Sequence, residues 1–380
     1  MGTYGGKRAH EYKEQCHGAQ YNYNRYDCCF HKITLDKCTN YFDYDPQNAR
    51  LVYMSYTITQ ENFDSLALFW LNSDHRLNWN SVFILPAWLK IWWQEYSLEN
   101  KLYLISVKQS DVVTGIAPLM VRGGRASFIG SLDVCDYLDF VVAPGREVDF
   151  FNVLLDDLRQ KGISHLDLRP LRPDSTVLTH LAGIARNQGC EVLCQPEDVS
   201  VELDLPATWE EYLAMLSRKQ RHEVKRKLRR LWEAGNVNYT CFEVGRQKVG
   251  QFTDTFLKLF ALSREEKAGF MTPRMESFFR ALAESMAEIG LLRFGIIGLD
   301  KQPVAMIMGF DYNGSMYLYN SAYDPQYNSL SVGLLCKILC LKESIERGRK
   351  KWDFLKGGEP YKYHIGGEEI SLSNCQIIIK

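Results

Sequence analysis

The chain has 380 residues, 46% of them hydrophobic and 13% aromatic, which is long for one domain and enough to bury sizeable cores. Its 45 Lys and Arg against 46 Asp and Glu, with an isoelectric point near 6.7, exclude the overall basicity of a dedicated binder of duplex nucleic acid. Eleven cysteines without regular spacing fit a reducing cytosol better than a disulfide framework.

Residues 1–60 form a segment of their own, rich in Tyr, Asn, Cys and charge. Cys16-His17, Cys28-Cys29, His31 and Cys38 suggest a zinc site, but the close Cys or His pairs of such sites are absent. We therefore expect no metal and interpret the segment as a poorly ordered or family-specific extension. No signal-peptide core, lipidation motif or bilayer-length apolar run is found, so we expect a cytoplasmic protein without membrane insertion.

Residues 61–205 show the regular patterning of a folded domain. Periodicity, turn residues and caps predict helices and strands in alternation. The predicted elements are a helix over 86–96, strands over 101–108, 112–122, 126–129 and 137–142, a helix over 147–160, a strand over 164–169, a helix over 175–188 and a strand over 190–193.

The most unusual stretch is 217–231, which contains eight Lys or Arg and His222 but only one acid, Glu223. Apolar residues at three- and four-residue steps predict one helix over 209–234, with Thr208 as N-cap and Gly235 as stop. A helix made only for solubility would mix charge signs, whereas this one concentrates positive charge as a phosphate or polyanion site would. A solvated surface face is the alternative interpretation.

The remainder of 206–380 repeats the element order of the first half. The predicted elements are a strand over 237–244, helices over 247–266 and 273–289, strands over 291–299, 303–312 and 315–323, a helix over 332–347, and strands over 351–355 and 370–379. This is the element order of the Gcn5-related acyltransferase (GNAT) fold. We therefore predict an α+β protein with two GNAT-like domains in tandem, each a mainly antiparallel twisted sheet flanked by helices.

In that fold the fourth and fifth strands splay apart around a pantetheine arm, and a loop and helix N-terminus hold the pyrophosphate. Here the fourth strand is predicted at 315–323, the fifth at 351–355 and the phosphate loop at 328–333. The predicted donor-binding residues are Ser329, Ser331, Val332 and Gly333. Only one glycine is present in this loop, so an ordinary strand-to-helix turn is an equal alternative.

Several blocks resemble the cellulose-biosynthesis-associated (CelD/BcsL-type) acetyltransferase family, from about residue 63 to the C-terminus. The specific ones are Lys219-Gln-Arg-His-Glu-Val-Lys-Arg-Lys-Leu-Arg-Arg230 and Trp352-Asp-Phe-Leu-Lys-Gly-Gly-Glu-Pro-Tyr-Lys362; softer ones lie at 85–93, 115–119, 136–140 and 209–213. The family is similar to the Fem-type peptidyltransferases, which place two acyltransferase-like domains in tandem and use the second for catalysis. The resemblance therefore implies a two-domain N-acyltransferase.

Acyl transfer requires a path for the amine proton, donors for the oxyanion and an acid for the leaving thiolate. Tyr361 follows the fifth strand, where related folds keep a tyrosine acid, and Glu359 is the nearest carboxylate; both could instead form a structural turn. Asp353 is either a buried core acid or a base with a raised pKa. His222 is the single histidine of the basic run and is either a base or a hydrogen-bonding residue.

Substrate contacts are predicted at both ends of the proposed site. Lys219, Arg221 and Arg226 are assigned to an anionic group of donor or acceptor, and Lys362 to substrate. Asp136 and Asp139 are assigned to the acceptor amine or, alternatively, to pairing with the basic helix.

We thus expect a cytoplasmic acyltransferase that moves an acyl group, with acetyl expected, from acyl-CoA to an amine of a sugar, peptide or envelope precursor. Two alternatives stay open. One is a Fem-like transferase that uses aminoacyl-tRNA, and the other is a non-catalytic module that binds an anion or nucleic acid on the same fold.

Overall fold

The computed structural model describes residues 32–35, 38–45, 50–243, 245, 247–263, 269 and 271–380. The chain divides into two compact units, Met1–Thr57 and Ile58–Lys380. Three antiparallel strands begin in the first unit: β1 (Lys32–Leu35), β2 (Cys38–Asp45) and β3 (Arg50–Gln60). Cys16, His17, Cys28, Cys29 and His31, which suggested a zinc site, lie outside the described residues.

The second unit begins with a half built of helices and strands in alternation. Its elements are α1 (Phe63–Leu71), α2 (Pro86–Tyr96), β4 (Lys101–Gln109), β5 (Val112–Arg122), β6 (Arg125–Phe128), β7 (Val141–Val142), α3 (Glu147–Gln160), β8 (His165–Leu171), α4 (Ala182–Asn187) and β9 (Glu191–Asp204).

Two helices connect this half to the next. They are α5 (Trp209–Met215) and α6 (Arg218–Trp232). The following elements are β10 (Val237–Glu243), α7 (Val249–Ser263), α8 (Pro273–Glu288), β11 (Leu292–Leu299), β12 (Gln302–Tyr312), β13 (Ser315–Tyr323), α9 (Val332–Glu346), β14 (Lys351–Lys356), α10 (Pro360–His364) and β15 (Glu368–Ile378).

Each half therefore contains two helices, three antiparallel strands, a helix, a strand and a final strand. The predicted mixed architecture, a mainly antiparallel sheet flanked by helices, is confirmed. The predicted boundary between residues 205 and 206 falls inside the second compact unit and stays a prediction.

The two halves exchange their last strands. In the second unit the strand order is β4-β5-β6-β8-β15-β9-β14-β13-β12-β11-β10. The last strand of the second half, β15, pairs with β8 of the first, and the last strand of the first half, β9, pairs with β14 of the second. Since β9 and β15 also pair with each other over 191–202 and 368–378, one continuous sheet joins the halves.

The predicted basic helix over 209–234 is wrong in one respect, because the structure breaks it at Leu216 and Ser217. Leu216 is extended, with φ −68° and ψ 145°, and Ser217 begins α6 with a capping box to Gln220. Thr208 and Glu211 form a second capping box at the start of α5. A serine that satisfies the first free N–H groups of a new helix competes with helix continuation, which explains the break.

A strand was predicted over 137–142, but residues 137–140 are not in a strand. Only Val141 and Val142 form one, which pairs with β5. Asp139 accepts hydrogen bonds from the N–H groups of Phe140 and Thr176, and this local bonding replaces a sheet ladder. The predicted helix over 175–188 is a π-helical turn, Val177–Leu181, followed by α4.

One disulfide joins Cys194 of β9 to Cys375 of β15, which are direct cross-strand neighbours. This corrects the expectation that the cysteines would contribute no disulfide. Among side chains in the described part of the chain, the free cysteines are Cys135, Cys190, Cys241, Cys336 and Cys340.

Helix α9 forms the centre of the second half's core. Its residues Val332, Leu335 and Ile338 are fully buried in a cluster that also contains Val224 and Leu231 of α6. Across the described residues, no helix is both long and apolar enough to cross a bilayer.

Candidate functional site

A cleft with a volume of about 740 Å³ opens where β13 and β14 separate. Its walls come from both halves of the second unit: a first-half segment at 132–136, strand β13, the start of α9, and the segment from the end of β14 into α10. Six of the predicted site residues line it, namely Asp136, Ser331, Gly333, Glu359, Tyr361 and Lys362.

The separation of β13 and β14 is visible in their register. The two strands are parallel and pair only over 315–317 and 351–353, at their beginnings. Their later residues, such as Asn320 on β13 and Leu355 on β14, line the cleft instead of pairing with each other. The predicted splay between the fourth and fifth strands thus coincides with the cleft.

A β-bulge on β13 lies in the wall of the cleft. Met308 pairs with Asn320, but Phe310 pairs with Tyr317, so that Leu318 and Tyr319 oppose the single residue Gly309. Such a bulge leaves backbone groups outside the ladder. A Cβ at Gly309 would lie 2.5 Å from the carbonyl oxygen of Tyr317, so this close approach requires glycine.

Beyond the bulge, side chains satisfy backbone groups of β13. The hydroxyl of Ser263 on α7 accepts from the N–H of Tyr323 at 2.8 Å, and its single hydrogen is shared between the carbonyl oxygens of Leu259 at 2.7 Å and Tyr323 at 3.0 Å. The side-chain oxygen of Asn320 accepts from the N–H of Ser321 at 3.0 Å. A ligand lying in the gap would therefore compete with these hydrogen bonds at Ser321 and Tyr323.

The start of α9 forms one end of the cleft. Ser331 precedes it in a left-handed conformation, with φ 57°, and provides no side-chain cap. A Cβ at Gly333 would lie 2.8 Å from the ring of Tyr323, so glycine lets that ring pack against the first turn. Val332 is buried and outside the lining, and Ser329 is exposed on the preceding 3-10 turn (Pro325–Leu330).

Lys337 is a buried lysine of the cleft that sequence reasoning missed. Its ammonium donates to the carbonyl oxygen of Gly333 at 3.0 Å and lies 4.9 Å from the centre of the Tyr361 ring. A cation at this distance from an aromatic face is stabilised by the ring. The apolar pattern of α9 gave no sign of it, because one lysine in an apolar helix also fits a surface position.

Asp136 provides a carboxylate on the first-half wall of the cleft. Burial raises its pKa, while the charges of Lys356 and Lys362 and a hydrogen bond from the N–H of Lys356 lower it. Asp133 lies beside it in the lining. The wall from the first half thus carries two carboxylates. Lys337 places positive charge on α9, and the Lys356 ammonium donates to the carbonyl oxygen of Leu132 on the first-half wall itself.

Lys362 was predicted to contact substrate, but its ammonium is occupied by the backbone. It is 2% exposed and donates to the carbonyl oxygens of Leu355, Lys356 and Gly357 at 2.8–2.9 Å. Glu359 pairs with it at 2.9 Å and keeps most of its own side chain exposed. These contacts favour a structural role for Lys362, in folding the end of β14 around the cleft.

Tyr361 lies in the first turn of α10 and lines the cleft, with its ring half-buried. The ring packs against Phe354 with centroids 6.4 Å apart, and it faces the Lys337 ammonium. The short helix begins at Pro360, directly after Glu359. Tyr361 therefore belongs to a structural turn and also lines the cleft.

Asp353 is 2% exposed and does not line the cleft. Its carboxylate accepts from the Tyr137 hydroxyl and, at 2.8 Å, from the N–H of Leu355. Burial, reinforced by the charge of Glu202, raises the pKa of Asp353 to about 7. Leu355 has φ 63°, a strained value for a branched residue, so the carboxylate stabilises an unusual backbone at the cleft wall.

Asp139 lies apart from the main cleft, beside a small cavity of about 50 Å³. It accepts from the N–H of Thr176 at 2.9 Å and from the Thr176 hydroxyl at 2.6 Å. Burial raises its pKa to about 6, opposed by these hydrogen bonds. These contacts favour a structural role in which Asp139 bonds Phe140 and Thr176, and not the predicted pairing with the basic helix.

The predicted residues of the basic helix lie outside the lining of the cleft. Lys219, His222 and Arg226 are exposed and Arg221 is half-buried on α6. Arg226 forms a two-pronged ion pair with Glu223, whose pKa is lowered to about 2 by that hydrogen bonding.

Part of the chain resembles a known domain family, and its fold resembles solved structures. Residues 218–363 match the model of the family described as acetyltransferase (GNAT) domain. The fold is similar to the crystal structure of FemX, with a TM-score of 0.55 and 12% sequence identity. The match covers 84% of this chain and 96% of the FemX chain. A conserved protein of unknown function from Bacteroides thetaiotaomicron is 14% identical, with 84% and 99% coverage and a TM-score of 0.52. No curated protein matches the sequence.

These results agree with the architecture. Residues 218–363 are similar to the GNAT acetyltransferase domain, and the repeated element order agrees with two GNAT-like halves in the second unit. The likeness to FemX concerns the fold alone, at this level of identity.

Proposed function

We propose that the protein is an N-acyltransferase that moves an acyl group from acyl-CoA to an amine in the cleft between β13 and β14. The observation that carries the proposal is the coincidence of the strand splay, the β13 bulge and the start of α9 in one cleft within the matched domain. A chain with this fold can lack activity, so the cleft chemistry must support the function by itself.

On the donor side, the thioester arm would lie along β13. The bulge places Leu318 and Tyr319 opposite the single residue Gly309, and their backbone N–H groups are our candidates for stabilising the oxyanion. The free N–H groups at the start of α9 are candidates for the phosphates. Tyr361 lies across the cleft and is the candidate acid for the leaving thiolate.

On the acceptor side, Asp136 is the candidate base. An attacking amine must lose a proton, and a carboxylate with a raised pKa is a better acceptor for that proton than an ordinary aspartate. Asp133 adds negative charge at the same wall, which would attract an ammonium group before it is deprotonated. Asp353 would act only indirectly, by holding Leu355.

The finer identity of the reaction rests on the sequence resemblance. Acetyl as the acyl group, an acceptor from sugar, peptide or envelope chemistry, a polysaccharide pathway and a cytoplasmic location are predictions of that kind. The acidic wall supports an acceptor that carries a free amine.

A second donor class is favoured by two features of the cleft. The Ser263 hydroxyl already accepts from the N–H of Tyr323, and the predicted phosphate loop 328–333 has glycine only at Gly333, in the first turn of α9. Both features reduce the number of backbone groups available to bind a pantetheine arm and a pyrophosphate. An aminoacyl-tRNA, which brings its acyl group on an ester, is the alternative donor.

A calorimetric titration with acetyl-CoA and longer acyl-CoAs tests the proposal. We expect a dissociation constant in the micromolar range, about −8 kcal/mol. Leu334→Trp should abolish binding by filling the cleft beside Gly333, whereas Leu262→Trp, at an exposed site on α7, should not. Absence of binding by a stable wild-type protein would reject acyl-CoA and favour the second donor class.

A further inference from the structure

Helix α6 presents a positively charged surface that the cleft does not use. Six of its Lys and Arg side chains are exposed: Arg218, Lys219, Lys225, Arg226, Arg229 and Arg230. At 100° per residue they fall within about 140° of the helix circumference. The single acid of the helix, Glu223, lies at the edge of this arc.

Most of this charge is not neutralised. Arg226 pairs with Glu223, and Arg229 lies 3.9 Å from Glu233 with both side chains largely exposed. Within the described part of the chain, no ion pair is formed by Arg218, Lys219, Lys225 or Arg230.

The apolar side of α6 is already occupied. Val224 and Leu231 are buried in the core cluster with α9. The helix therefore cannot turn its apolar stripe outward and insert into a bilayer as a free amphipathic helix does. A partner that binds α6 must therefore contact its charged arc.

Exposed apolar side chains flank the arc. Trp232 ends the helix, 46% exposed, and falls beside Lys225 and Arg229 on the helical wheel. Met215, 57% exposed, immediately precedes the break before α6. Tryptophan favours the level of lipid headgroups, where its ring is half in contact with hydrocarbon and half with water.

The charge distribution would also orient the molecule. The whole chain has a net charge of −1, while α6 carries eight Lys or Arg and one Glu, so the remainder of the chain is net negative. An extended anionic surface would attract this helix and repel the rest.

We propose that α6 is an electrostatic docking surface for an anionic lipid bilayer, with the cationic arc among the headgroups and Trp232 at the interface. This inference does not depend on the acyl-transfer reaction. Helix α6 contacts the 3-10 turn Pro325–Leu330 that leads to Ser331, so docking brings the end of the cleft near the membrane surface.

A nucleic acid is the competing polyanion, and the surroundings of α6 disfavour it. Nucleic-acid sites usually extend positive charge over several elements that follow the phosphate backbone. Here the flanking positions Glu210, Glu211 and Glu233 are exposed acids. The positive charge of α6 is thus interrupted by acids on both sides along the chain.

Co-sedimentation of the full chain with vesicles tests the proposal. The probes are phosphatidylcholine vesicles with and without phosphatidylglycerol at about a third of the lipid, which supplies the negative surface potential. The variant is Lys225→Glu with Arg229→Glu. The control, which changes charge equally at exposed positions elsewhere, is Lys258→Glu with Lys301→Glu.

We expect binding only to the anionic vesicles, weakening with salt, and an affinity at least about tenfold lower in the α6 variant than in the control. Trp232→Ala should weaken binding without changing its salt dependence. The proposal is overturned if the anionic vesicles are not bound, if both double variants bind equally, or if single-stranded RNA binds more tightly at the same salt and displaces the vesicles. Unchanged circular dichroism separates these results from misfolding.

Discussion

The hydroxyl of Tyr137 donates a hydrogen bond to the carboxylate of Asp353, which joins the first half of the second unit to the fifth strand of the second half. Arg172 stacks over the Tyr137 ring at 5.1 Å and pairs with Glu202, which also accepts from Lys351. The exchanged strand β9 and its neighbour β14 thus meet around a buried polar network. One member of this network, Asp353, stabilises Leu355 at the cleft wall.

The raised pKa of Asp353 predicts a stability that falls as pH rises. The folded chain keeps this proton up to about pH 7, whereas the unfolded chain releases it near pH 4. The free energy of unfolding should therefore decrease from about pH 4 to pH 7, by up to about 4 kcal/mol from this group, and level off above. Urea unfolding of wild type and Asp353→Asn at pH 5 and pH 7.5 measures this.

Asparagine keeps an oxygen for Leu355 but cannot titrate, so the variant should lose part of the pH dependence. Asp136 and Asp139 also have raised pKa values and contribute the same sign in both proteins. Parallel pH dependences in the two proteins would contradict the assignment to Asp353.

Lys362→Met should destabilise the fold strongly. The substitution leaves three carbonyl oxygens, of Leu355, Lys356 and Gly357, without their ammonium donor. We expect a loss of about 2–4 kcal/mol in urea unfolding. Lys356→Met, which loses one hydrogen bond to Leu132 at the surface, should cost under about 1 kcal/mol. Similar losses in the two variants would contradict the structural role of Lys362.

Gly309→Ala should disrupt the β13 bulge. The added methyl group would lie 2.5 Å from the Tyr317 carbonyl oxygen, so the strands must move apart at a cost of about 1–3 kcal/mol. The matched control is Gly183→Ala in α4, where no atom lies within 4 Å, and this change should be neutral or stabilising by up to about 1 kcal/mol. Thermal unfolding compares them, and equal midpoints would argue against the close approach.

Ser217→Ala tests whether the basic segment is two helices. The serine hydroxyl accepts from the N–H of Gln220 at the start of α6. Loss of the cap should cost about 1 kcal/mol, since that N–H becomes unsatisfied. In one continuous helix over 209–234 the serine would lie inside the helix, and alanine would stabilise it instead.

Most element bounds could be predicted because each depends on nearby residues. The strand 112–122, the helix 147–160 and the strand 315–323 agree with the structure residue for residue. Caps and turn glycines fixed their ends, and periodicity fixed their type. The break at Ser217 was not predicted, because the helical spacing of the apolar residues continues across it.

The partners of strands could not be predicted from the same information. Alternation shows which face of β9 or β15 is buried but not which strand lies beside it. Tyr137 and Asp353 are 216 positions apart, and nothing local to either residue indicates the other. The lining of the cleft by Asp136, Ser331, Gly333, Glu359 and Tyr361 was within reach, because the predicted splay placed most of them. The position of α6 outside the lining could not be predicted, since charge alone does not locate a helix.

Hydrogen exchange of the full chain with and without acetyl-CoA tests the central claim most directly, because it locates the donor on the backbone. We predict slower exchange at the β13 bulge, at Leu318 and Tyr319, and at the first turn of α9, with α6 unchanged. Protection should disappear in Leu334→Trp. Unchanged exchange at both β13 and α9 under saturating acetyl-CoA would contradict the placement of acyl transfer in this cleft.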